Sequence, residues 1–204
     1  MIRFLAATAL VTAVALPAMA QPANIRPTRD VTVNYRLSGL AGAPPQETRM
    51  AFSASTGKQR IDPPGGMGWI LIDRGANAAY MVMDPQRMVM TMPPETVAAM
   101  NGDVPAGSTF TRKGTATVAG IPCTEWEITI GQARGTNCMT YDGVMLRTVS
   151  TAPNGDAVTM EATQVTYGPV DPARLALPSG YTAQQMPTGA PPGAAPPAAP
   201  TPRR

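Results

Sequence analysis

Val31, Val33, Tyr35 and Leu37 alternate with Thr32, Asn34, Arg36 and Ser38, the two-residue period of a strand that buries one face. The alternation resumes over residues 47–53, where Thr48, Met50 and Phe52 lie on one side and Glu47 and Arg49 on the other, so residues 39–45 read as the turn of a hairpin. A short third strand over 58–62 is stopped by Pro63-Pro64-Gly65-Gly66, which no strand ladder accommodates. Three more strands are predicted over 67–73, 78–83 and 87–92. The last two flank Asp84-Pro85-Gln86, and a simple register across that turn sets Met83 beside Met88 and Met81 beside Met90, with Met92 further along the same face. Pro93-Pro94-Glu95 then opens a short helix over 96–100, which Asn101-Gly102 ends.

Further strands are predicted over 109–112, 115–119, 123–130, 136–141, 144–150 and 157–167, punctuated by Gly120, Gly131, Gly135, Asp142-Gly143 and Asn154-Gly155. That spacing signals an antiparallel meander. In the strand that begins at Cys123, residues Trp126, Ile128 and Ile130 share one face, and Cys123, Glu125 and Glu127 share the other. In the next, Met139 and Tyr141 oppose Cys138, Thr140 and Asp142, so both cysteines are expected on the polar face. Asp171-Pro172 opens a last short helix through Leu175, and Leu177-Pro178-Ser179-Gly180-Tyr181 closes the domain.

The two ends of the chain carry no such pattern. Arg3, an apolar run over 4–16 and the small-x-small sequence Ala18-Met19-Ala20 form an export signal over residues 1–20, cleaved between Ala20 and Gln21. The apolar run is shorter than the roughly 20 residues of a membrane-spanning helix, and no later stretch reaches that length, so no membrane span is expected. Gln21 stands where a lipoprotein would carry cysteine. The expected location is the periplasm of a Gram-negative bacterium. Residues 21–29, with Pro22 and Pro27, read as a flexible lead-in; residues 30–185 form the single domain; residues 186–204 are rich in proline and alanine and are expected to be disordered.

Composition narrows the chemistry. Sixteen basic residues face 13 acidic ones; Arg3 belongs to the signal, and Arg203 and Arg204 to the tail, so the domain is close to neutral. Without a basic stripe, nucleic acid is not an expected partner. The chain has no histidine, which removes the commonest general base at neutral pH and the commonest transition-metal ligand. Cys123 and Cys138, in an oxidising compartment, are expected to pair as a structural disulfide that pins two neighbouring strands from the polar face. Closing a loop of roughly 15 residues is worth about 3 kcal/mol in the chain-entropy model. Lys58 and Lys113 sit in no serine-lysine motif, Glu125 and Glu127 read as solvated charges, and Asp73, Asp84 and Asp142 belong to turns or strand ends. The expectation is a protein that is not an enzyme and needs no cofactor and no metal.

Three segments together resemble a known group: AAYMVMDPQRMVMTMP, the block TATVAGIPCTEWEI with CMTYDGVMLR, and the closing VDPARLALPSGY. They are similar to small, uncharacterised exported proteins of Gram-negative bacteria related to the LolA/LolB lipoprotein carriers. The resemblance covers about residues 30–185 and implies a mainly β fold, a curved antiparallel sheet or half-barrel with one or two short helices on its apolar side. It also implies a cavity for acyl chains. The lid helices of those carriers are reduced here to the one candidate around 96–100, and no lipoprotein-specific residue maps onto this chain.

The candidate ligand-binding residues are Met81, Met83, Met88, Met90 and Met92 with Trp69 and Trp126. Three readings stay open for the methionines: core packing, an adaptable lining for a lipid or other apolar ligand, or a thioether site for cuprous ion and oxidants. The leading functional reading is non-catalytic periplasmic binding of a lipid or acyl chain. The alternatives are an envelope structural or interaction protein with a filled core and a protein partner, and methionine-based copper(I) or oxidant buffering. Exposure of the methionine face separates them.

Overall fold

A computed structural model describes residues 21–187 apart from 41, 102, 103, 105 and 152–154. The expected export signal, with Ala20 at its cleavage point, and the tail beyond Pro187 lie outside the described residues. The elements in chain order are β1 (Val31–Ser38), β2 (Gln46–Phe52), β3 (Lys58–Asp62), β4 (Trp69–Asp73), β5 (Ala78–Met83), β6 (Met88–Thr91) and α1 (Pro94–Met100). They continue with β7 (Thr109–Val118), β8 (Ile121–Ile130), β9 (Ala133–Met139), β10 (Met145–Thr151), β11 (Ala157–Tyr167), a 3-10 turn (Pro172–Leu175) and β12 (Thr182–Gln185).

All twelve strands belong to one curved, unclosed sheet in the order β12-β6-β5-β4-β3-β2-β1-β11-β10-β9-β8-β7. Two meanders, β1 to β6 and β7 to β11, are thus joined along a seam where β1 pairs antiparallel with β11, Val31 opposite Tyr167 and Ser38 opposite Thr159. α1 makes the connection between the meanders. Val31, Val33 and Tyr35 are buried along β1 as their alternation requires. The methionine register is also as read from the sequence: Met83 faces Met88 and Met81 faces Met90.

The strands and the tail differ from the sequence reading in three places. The strands expected over 109–112 and 115–119 are one strand, because a register shift between Arg112 and Gly114 absorbs the irregularity without ending the ladder. β12 is an addition: its residues are all exposed, so it has no alternation to read, and it joins β6 in parallel through backbone bonds. Met186, assigned to the tail, is buried in the methionine cluster, and its N–H donates to Thr91 O at 2.9 Å.

The sheet is covered on both faces at its β4–β6 end. On one face, here the inner face, Ile72, Ala79, Met90 and Met92 pack with Val97 of α1 and with Met186, and Met81, Met83, Met88 and Met100 lie against them. On the other, Trp69, Leu71, Val82 and Val89 pack with Val170 and Leu175 of the 3-10 turn. Side chains on adjacent strand positions point to opposite faces, which is why Val82 and Met81 belong to different clusters.

The disulfide expectation needs a correction in its placement. Cys123 and Cys138 are bonded, with Cα atoms 5.4 Å apart. They are not on an outer polar surface: they are 4% and 1% exposed and packed in one cluster with Val118, Val144 and Leu146. The alternation that put Cys123 beside Glu125 is correct within the strand, but the curled sheet brings apolar neighbours from other strands over that end of it.

Candidate functional site

Beside the methionine cluster the inner face opens into a cleft of about 480 Å³, within the 300–1,000 Å³ range of small-molecule sites. Its floor comes from the first meander: Tyr35 on β1, Met50 on β2 and Gln59 on β3, with Arg74 from the turn after β4. The register puts these on one face, since Val33 pairs with Met50, Met50 with Ile61 and Gln59 with Ile72. One wall comes from the second meander, where Phe110, Ile128, Ile130, Asn137, Met139 and Met145 line the space. Ala99 and Asn101 at the end of α1, with Val104, form the opposite wall. Ile25, Arg26 and Pro27, together with Gly143, close one end.

The segment ahead of β1, read as a flexible lead-in, makes contacts of its own here. Asn24 Nδ2 donates to Tyr141 O at 2.9 Å, Thr28 N to Asp142 O at 3.0 Å, and Arg29 Nε to Asp142 Oδ2 at 2.6 Å. The Arg29 guanidinium also lies over the Tyr167 ring, 3.7 Å from its centroid. Gly143 permits the approach: its φ is +85°, and a Cβ there would collide with Arg26 O.

The polar groups of the cleft are few. Tyr35 donates from its hydroxyl to Met145 O at 2.7 Å, tying floor to wall, and burial pushes its ionisation upward. Arg74 Nη2 donates to Gln59 Oε1 at 2.9 Å, and its guanidinium lies 5.7 Å from the Phe52 ring centroid. Asn137 Oδ1 accepts from Thr148 Oγ1 at 3.0 Å. The rim is apolar: Ile25, Val104 and Ile130 are 39%, 41% and 45% exposed and come from three distant parts of the chain.

The structure places the expected binding residues in three groups. Met81, Met83, Met88, Met90 and Met92 share the inner face, but none lines the cleft; Met90 and Met92 are buried under Val97. Trp126 lies on the same face as the wall and packs with Phe110, Met139 and Ile128, but does not itself line the cleft. Trp69 belongs to the opposite face, where the Arg60 guanidinium stacks 3.9 Å from its ring centroid. Glu125 and Glu127, two apart on β8, bind Arg147 at 2.7 Å and Lys113 at 3.4 Å on the face away from Trp126 and Ile128. Sequence reading missed Tyr35, Phe110, Met139, Arg26 and Arg74 as cleft residues. One signal was present: Trp126, Ile128 and Ile130 form an apolar stripe whose last member stays exposed at a strand end.

No protein-family model matches the chain. No curated protein matches it in sequence. Among solved structures it is similar to an uncharacterized conserved protein from Thermus thermophilus, with 10% identity and a TM-score of 0.56 over 78% of this chain and 91% of that one. It is also similar to the MucA/MucB complex of Pseudomonas aeruginosa, with 14% identity and a TM-score of 0.51 over 76% of this chain. There it spans 58% of the matched chain's length. A LolA superfamily protein from Nitrosomonas europaea is similar at 10% identity and a TM-score of 0.40, over 76% of this chain and 94% of that one. These likenesses, all under 25% identity, concern the fold alone.

Proposed function

We propose that this chain is a non-catalytic binding protein, exported to the periplasm, that takes a lipid, an acyl chain or another apolar ligand into the cleft between α1 and β7–β10. The observation that carries this reading is the convergence of Ile25, Val104 and Ile130, all exposed, on the rim of a cleft lined by Met50, Phe110, Ile128 and Met139. Apolar surface held open in water favours a ligand that covers it, by roughly 25 cal/mol for each Å² removed from solvent. The long thioethers of Met50, Met139 and Met145 adapt to ligands of varied shape. The methionine face proposed from the sequence supports the cleft from beside it, and its packing under α1 favours the core-packing role over a copper site.

Native mass spectrometry of the chain purified from its exporting host tests the reading. The expected spectrum shows a lipid-sized companion that organic extraction removes and that Val104→Glu together with Ile130→Glu prevents from rebinding. Both positions are exposed, so the fold has little to lose from the change. A bare wild-type mass that takes up no added lipid would sink the reading. The MucA/MucB complex, in which a chain of similar fold is assembled with a protein, favours one second reading: a protein partner on this fold. That reading calls for a bare mass and a protein companion that survives delipidation.

A further inference from the structure

Met90, Met92 and Met186 are buried with Val97 of α1, and Met81, Met83, Met88 and Met100 lie half-buried against them. The cleft is lined by none of these side chains. Leucine would fill much the same volume; what methionine adds is a thioether open to oxidation. The four half-buried side chains are within reach of a water-borne oxidant such as hydrogen peroxide. In that reaction the peroxide O–O bond breaks and one oxygen bonds to sulfur, which gives up two electrons. The proton on that oxygen passes to the other, which leaves as water. The sulfoxide so formed is polar and calls for a hydrogen-bond donor. No side chain of the cluster supplies one, since its other members are Ile61, Ile70, Ile72, Ala79 and Val97.

α1 is the part of this packing least able to resist. It has seven residues, Pro93 ahead of it makes no side-chain cap bond, and Val97 is its buried residue. A helix so short has little stability of its own, whereas the strands beneath it are held by their ladders. We propose that Met81, Met83, Met88 and Met100 form an oxidation site, at which conversion to sulfoxide loosens α1 from the sheet. Ala99 and Asn101, at the end of α1, wall the cleft, so the same event moves that wall. The oxidation site depends on the packing of the cluster and not on what the cleft holds.

Hydrogen peroxide treatment of the full chain, followed by peptide mass mapping and amide hydrogen exchange, tests it. Met67, 74% exposed between β3 and β4 and outside the cluster, is an internal control. It is expected to take up oxygen first and without effect on α1, and the four half-buried methionines next. The amides to follow are those of Val97 and Asn101, which donate to Pro93 O at 3.0 Å and to Val97 O at 2.8 Å. With the four sulfurs oxidised they should exchange at least about tenfold faster, the shift in an opening equilibrium that one unpaired buried polar group produces. Methionine sulfoxide reductases should restore the original rate. A variant carrying Met81→Leu, Met83→Leu, Met88→Leu and Met100→Leu retains Met50, Met145 and Met160 outside the cluster. Its α1 should exchange at one rate before and after peroxide. Unchanged α1 exchange once the four are oxidised overturns the proposal, as does peroxide that converts Met67 and none of the four. Loosening that the reductases do not reverse, or that the quadruple variant shows equally, overturns it too. If that variant fails to fold, oxidation and reduction of the unaltered chain still decide the matter.

Discussion

At Gly143 a hydrogen atom stands where any side chain would meet the lead-in. A Cβ would collide with Arg26 O, and the backbone holds φ at +85°. Gly131 is a natural control, with φ at +60° and nothing within 4 Å of the same position. Gly131→Ala should lower stability by only about 1–2 kcal/mol, from left-handed backbone alone. Gly143→Ala should lower it further and release residues 24–29 from the β9–β10 turn, which urea denaturation and hydrogen exchange at Thr28 would read. Asp142, the neighbour of that glycine, titrates with the fold. Burial raises its carboxyl, but hydrogen bonds from Thr140, Arg29 and Tyr167 and the Arg29 charge outweigh burial and hold the carboxyl below its ordinary value. A folded-state pKa below the unfolded one contributes stability that is present above the unfolded pKa and lost as pH falls through the folded one. Melting temperature should therefore drop on the acid side of the ordinary carboxylate range, and Asp142→Asn should flatten that part of the profile. A variant as acid-sensitive as the parent would remove Asp142 as the cause.

At the level of elements, the disulfide between β8 and β9 is the feature whose place most alters the energetics. With both sulfurs buried beside Val144 and Leu146, replacing Cys123 and Cys138 by alanine removes a cross-link and leaves a void together. The double variant should lose about 2–5 kcal/mol in urea denaturation, and a loss under about 1 kcal/mol would mean that the bond closes no loop that matters. Met83→Leu, Met88→Leu and Met90→Leu conserve volume in the cluster under α1, so each should cost less than about 1.5 kcal/mol. The hairpin pairing of those methionines was legible because Asp84-Pro85-Gln86 is short enough to leave one simple register. The face of Trp69 was not: Trp69 pairs with Val82, one position out of step with Met81 and Met83, and so lies on the face opposite the methionines. Burial of the cysteines was equally hidden: along β8 Cys123 alternates with charge on its own face, and the cluster that buries both cysteines includes Val31, Val33 and Ala162 from distant parts of the chain.

On the scale of the whole molecule, alternation and glycine punctuation sufficed for an antiparallel meander, the family resemblance implied its curvature, and the cleft was out of reach. Its lining joins Ile25, Tyr35, Arg74, Val104 and Met139, which share no segment and meet only when both meanders stand on one sheet. The edge strand β12 was likewise invisible, because it is held by backbone bonds to β6 and by Met186 rather than by a buried face of its own. A chain ending at Gly180 should accordingly melt lower than one ending at Pro187 and associate at micromolar concentration, since it bares the β6 edge; light scattering during a thermal ramp would show it. The seam between β1 and β11 sets the order of events when the chain first folds. Val31 waits for Tyr167, so a ribosome or translocon delivers all of the first meander while one long edge of β1 has nothing to pair with. Contacts so distant in sequence make folding slow, and the interval leaves an apolar strand open to other nascent chains. The protein's exposure to aggregation is thus greatest during synthesis and ends when its eleventh strand arrives.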